Sequence, residues 1–143
     1  MMRNKTLLLL SLLFCAWAGG ALANEPKALT AQELLTEYKT YSLARCITEN
    51  YKSMGVDFGK LPLKDGTQGS IDIELGYAFN AEQDNALNAF IKDKTGSFYK
   101  AKQSEGDLAR VNLVIYDCVG FSQSEELEGV LEKLIAEAGA ISG

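Results

Sequence analysis

Histidine is absent from all 143 residues, proline occurs twice and cysteine three times. The missing histidine removes the commonest general base and the commonest metal ligand together. No C-x-x-C pair, G-x-S-x-G elbow or glycine-rich phosphate loop occurs, so redox, acyl-transfer and nucleotide chemistry have no recognisable seat. Basic residues are scarce as well. Once the first 23 residues are set aside, 12 of the 14 Lys and Arg remain against 19 Asp and Glu, a formal charge of −7. That balance disfavours nucleic acid and anionic membrane as partners and suits a basic protein.

Only one long apolar run is present, Leu7 to Trp17. Arg3 and Lys5 precede it, and small residues ending in Ala21-Leu22-Ala23 follow, the pattern of a secretory signal peptide over residues 1–23. The run is too short to span a bilayer, and Gly19 and Gly20 break it. Phe14 before Cys15 is too bulky for a lipoprotein cleavage site. Removing 23 of the 143 residues leaves 120, from Asn24 to Gly143, enough for one domain and too few for two. Export through a Gram-negative inner membrane would place the mature chain in the periplasm, with no membrane attachment after cleavage.

The mature chain then holds two cysteines, Cys46 and Cys118, 72 positions apart in an oxidising compartment. They are expected to form one structural disulfide.

Helical periodicity dominates what remains, and the expected fold is all-α: a single compact bundle of about four to five helices. Thr30 with Glu33 forms a capping box that opens a helix to Met54, in which Leu34, Tyr38, Tyr41, Cys46, Ile47 and Tyr51 share a side. Gly55 to Gly69 reads as a long irregular connection. Ser70 is the expected cap of a second helix carrying Ile71, Leu75, Ala78 and Phe79, although the Ile71-Ile73-Leu75 alternation also permits a strand. Asn80 with Gln83 opens a third helix, Leu87, Phe90 and Ile91 pointing inward and Gly96 ending it. Asp107 is expected to cap a fourth, with Leu108, Val111, Ile115 and Cys118 on its inner face and Gly120 at its end. Ser122 with Glu125 opens the last, whose face is Leu127, Val130, Leu131, Leu134 and Ile135. Gly139 ends it.

No catalytic residue, cofactor or metal site emerges. Glu125, Glu126 and Glu128 fall in a first helical turn, where negative charge is favourable in any case. Asp72, Glu74, Asp93 and Asp117 show no metal-ligand spacing, and Ser70, Ser104 and Ser124 have no histidine base. The connection from Gly96 to Gly106 is different in kind. It sets two aromatics, Phe98 and Tyr99, beside Lys100, Ser104 and Glu105, and rings in a polar loop serve either as binding anchors or as core residues under the loop. A small, exported, acidic helical protein of this kind is a binding protein or inhibitor rather than an enzyme. The alternative is a helical small-molecule-binding or stress-adaptor module.

Two stretches carry a family resemblance. YSLARCITENY, Tyr41 to Tyr51, resembles the cysteine-bearing first helix of the periplasmic immunity proteins that neutralise type VI secretion amidase effectors. CVGFSQSEEL, Cys118 to Leu127, is similar to that family's second cysteine segment, with Gly120 where an acidic residue is expected. The resemblance implies a disulfide-bonded helical protein, often a homodimer, that occludes the groove of a cysteine-dependent peptidoglycan amidase with a surface loop. Phe98, Tyr99, Lys100, Ser104 and Glu105 are the candidate effector-binding residues, and the glycine-rich loop from Val56 to Gln68 is the second choice.

Overall fold

The computed structural model describes residues 29–75 and 78–141; the signal peptide expected over 1–23 lies outside them. Five α-helices follow in order: α1 Ala31–Ser53, α2 Thr67–Glu74, α3 Ala81–Thr95, α4 Val114–Ser122 and α5 Glu125–Ile141. Short 3-10 turns at Phe58–Lys60 and Asp107–Arg110 interrupt the connections, and the described residues hold no strand. The fold is all-α with one disulfide, as the periodicity implies.

α1 is the central element and packs against each of the other four helices. Its start is fixed by both halves of the capping box, the Glu33 N–H donating to Thr30 Oγ1 at 3.2 Å and the Thr30 N–H to Glu33 Oε2 at 2.7 Å. Its end is fixed by Gly55, whose φ of 88° is the left-handed conformation that glycine adopts without strain. Between them, Leu35, Tyr38, Ser42, Cys46 and Asn50 make a buried stripe at spacings of three and four. α3 opens on the Asn80–Gln83 capping box and stops before Gly96, where a Cβ would sit 2.6 Å from the Lys92 carbonyl oxygen. Leu87 and Ile91 of α3 meet Leu127, Leu131 and Leu134 of α5 in one core with the α1 stripe. Two ion pairs from the start of α5, Glu126 to Lys94 and Glu128 to Lys39, tie it to α3 and α1.

The Cys46–Cys118 disulfide joins α1 to α4, and both half-cystines are fully buried. It also sets the rotation of α4, and here several expectations are corrected. Asp107 opens only a 3-10 turn after Gly106, itself at φ 84°, and α4 starts seven residues later at Val114, whose N–H donates to Asn112 Oδ1 at 3.3 Å. With Cys118 inward, Val114 and Phe121 share its side. Val111 and Ile115, expected inside, are 43% and 57% exposed. Gly120 lies within α4 and Gly139 within α5, so neither ends its helix.

Ser122 is still helical and donates to the Val119 carbonyl oxygen, whereas Ser124 accepts from the Leu127 N–H and caps α5. α2 begins before Ser70, at Thr67, whose N–H and Oγ1 both donate to the Asp65 carboxylate. It is a helix rather than a strand: Ile71 and Leu75 are buried four apart, while Ile73 between them is 77% exposed. Phe79 lies beyond the end of α2 and stacks on Tyr38, ring centroids 3.8 Å apart.

Candidate partner-binding surface

The connection from α3 to α4 is held in place from beneath. Asn50, 1% exposed, donates through Nδ2 to the Cys46 carbonyl at 2.9 Å and the Thr95 carbonyl at 3.0 Å, and its Oδ1 accepts from the Tyr99 N–H at 2.9 Å. Every hydrogen-bonding position of a buried carboxamide that these partners can reach is thus used, and α1, α3 and the loop meet at one side chain. Phe98 and Tyr99 are half-buried against the core. Lys102 and Lys100 lie over these rings, their Nζ atoms 5.4 and 5.9 Å from the respective centroids. Lys102 then pairs with the mostly buried Asp117 of α4 at 2.6 Å. Lys100, Ser104 and Glu105 are exposed.

The five candidate residues therefore divide. Phe98 and Tyr99 form the root of the loop, and the three polar residues face solvent above it. Replacing both rings by alanine is expected to cost about 2 kcal/mol of stability, as for partly buried aromatics, and to weaken partner binding at a temperature where the variant stays folded. Thermal unfolding and calorimetric titration check the two effects separately, and unchanged affinity would exclude the loop from the interface.

A second exposed surface lies on α4. This helix is apolar nearly all round, a pattern expected of a helix covered on every side. Yet its outer face is open: Ile115, Tyr116 and Val119 are 57, 77 and 37% exposed. Leu113 and Val111 extend the patch toward the loop, and a groove between α4 and Tyr51 of α1 is lined by Asn112, Leu113, Ile115, Tyr116 and Val119. Met54, at the end of α1, reaches Asn112. Neighbouring exposed apolar residues of this number mark an interaction site more often than an ordinary surface. Sequence reading placed Val111 and Ile115 in the core because it started α4 at Asp107. The signal that locates them outside is the phase set by Cys118.

The second-choice loop holds Leu61 and Leu63, exposed by 43 and 88%. Beside it an apolar groove of about 260 Å³ runs along α1, lined by Thr40, Leu43, Ala44, Ile47, Thr48, Phe58, Asp65 and Thr67. It lies open to solvent, whereas small-molecule sites bury most of their ligand.

Among the described residues, no group of three Cys, Asp or Glu could hold a metal ion, and no helix is long and apolar enough to cross a membrane. Asp72 and Asp84 act electrostatically on one another and on Tyr38. Burial, and then Asp72, raise the Asp84 carboxyl above its ordinary value; burial, then Asp84 and Asp72, push the Tyr38 phenol up strongly. The folded state thus holds the Asp84 proton more tightly than the unfolded chain does. Its stabilising contribution is full below the ordinary carboxylate range and is lost as pH rises through the raised folded value. Asp84→Asn is therefore expected to gain stability relative to the parent protein between pH 3 and pH 7, measured as urea midpoints, and a constant difference would contradict this.

Comparison of the chain with protein-family models, with functionally characterised proteins and with solved structures finds no match.

Proposed function

We propose that this protein is a periplasmic immunity protein that binds a type VI secretion peptidoglycan amidase effector and blocks its active-site groove. The observation that carries the reading is a loop pinned at its root, with exposed polar residues above it, together with an apolar face of α4 that no described element covers. These supply what steric inhibition needs: a polar tip on a rigid base and apolar area to hold a partner. The two segments that resemble the family, 41–51 and 118–127, meet at the Cys46–Cys118 bridge. On the same reading the free protein is a homodimer, and its acidity speeds encounter with a basic groove.

The test is protection. The mature chain, directed to the periplasm, is produced together with the product of the neighbouring reading frame in the same compartment. Cells that lyse with the effector alone are expected to survive when both are present. Undiminished lysis at equal periplasmic abundance would overturn the proposal.

A further inference from the structure

We propose that Asn50 and Asp117 are the positioning residues of the α3–α4 loop, fixing its root so that the exposed 103–106 tip meets a partner already shaped; the inference rests on that loop belonging to the recognition surface proposed above. Asn50 holds the near end. Its carboxamide ties the Tyr99 N–H to the Thr95 and Cys46 carbonyls, and Thr95 O also accepts from the Phe98 N–H at 3.0 Å. Asp117 holds a second point, three residues further on and just before the tip, through its 2.6 Å pair with Lys102.

Both anchors adjoin the disulfide. Asn50 lies one helical turn beyond Cys46, with Nδ2 3.9 Å from its Sγ, and Asp117 immediately precedes Cys118. The N-terminal arm of the loop is therefore fastened, at Tyr99 and at Lys102, to the two helices that the bridge locks together. A loop fixed in this way loses little freedom when a partner binds, which is where preorganised binders gain affinity. Neither anchor needs to touch the partner. Asn50 is buried beneath the loop, and the Asp117 side chain is only 17% exposed.

Amide hydrogen exchange of the mature protein, read residue by residue, tests this without a partner. In Asn50→Ala, amides 97–102 are expected to exchange about tenfold to a hundredfold faster than in the parent protein, beyond any change shared with α5. Lys102→Met breaks the other anchor at a residue that lies outside the core. It is expected to free residues 101–106 while Tyr99 stays slow, and it keeps the test decisive should Asn50→Ala fail to fold. Gln83→Ala, which removes a buried amide bonded to the Leu134 carbonyl, serves as the control. It should speed exchange everywhere in step, as a purely structural loss does.

Loop amides that keep pace with α5 in the folded anchor variants would overturn the inference. So would a loosened loop that binds the effector as tightly as the parent protein does; at least a tenfold weakening is expected. Failure of the parent protein itself to bind would instead remove the proposed function, and the exchange data would still report whether the anchors order the loop.

Discussion

Replacing Cys46 by serine is expected to remove about 4 kcal/mol of stability, the loop-closure contribution of a bridge across a span of 72 residues. Against a net stability of ~5 to 15 kcal/mol for a single domain, this is a large share. In thermal unfolding it corresponds to a fall of roughly 15 °C for a domain of this size. Cys118→Ser should cost the same, and the double variant little more than either, because both remove one constraint. Each half-cystine is fully buried between α1 and α4, so the lone thiol left behind gains no compensating solvation. Equal melting temperatures for the oxidised protein and Cys46→Ser would mean that core packing alone fixes the two helices.

The second large effect falls on binding and spares stability. Ile115→Asp combined with Tyr116→Ala changes two side chains that are 57 and 77% exposed, so the melting temperature should move little. If the outer face of α4 is the centre of the effector interface, the pair should weaken binding by about a hundredfold or more, as loss of central apolar anchors does. The charge adds a desolvation cost at the point of closest packing. A variant that inhibits normally but sediments at half the parent's mass would instead assign this face to the contact between two copies of the chain.

Much of the fold was legible in the sequence because its signals are local. The Thr30–Glu33 and Asn80–Gln83 capping boxes each satisfy their own backbone groups, so α1 and α3 begin where those residues stand, whatever packs on them. The disulfide was legible because only two cysteines remain once residues 1–23 are set aside. α4 was not. Asp107 carries a start signal that yields only a 3-10 turn, and the true phase of α4 follows from a bond to a residue 72 positions away. Ser122 and Ser124 are both spaced for a cap, but a capping residue must stand outside the helix, and Ser122 is still inside α4.

The candidate site was read in the same uneven way. Phe98 and Tyr99 announced the loop, and the structure leaves both rings half-buried at its root. Asn50 drew no attention, although a polar side chain on the stripe of Leu35, Tyr38, Cys46 and its neighbours needs a partner at that depth. The exposed side of α4 was hidden by its own composition. An apolar sequence shows that a face must be covered without saying by what, and here no element among the described residues covers it.

The most direct measurement takes the product of the neighbouring reading frame, the proposed amidase effector, and follows its turnover on purified peptidoglycan as residues 24–143 of this protein are titrated in. Inhibition should be complete near one binding site per enzyme and should be lost in Ile115→Asp/Tyr116→Ala at an unchanged melting temperature. Full amidase turnover in the presence of excess folded, oxidised protein would contradict the account.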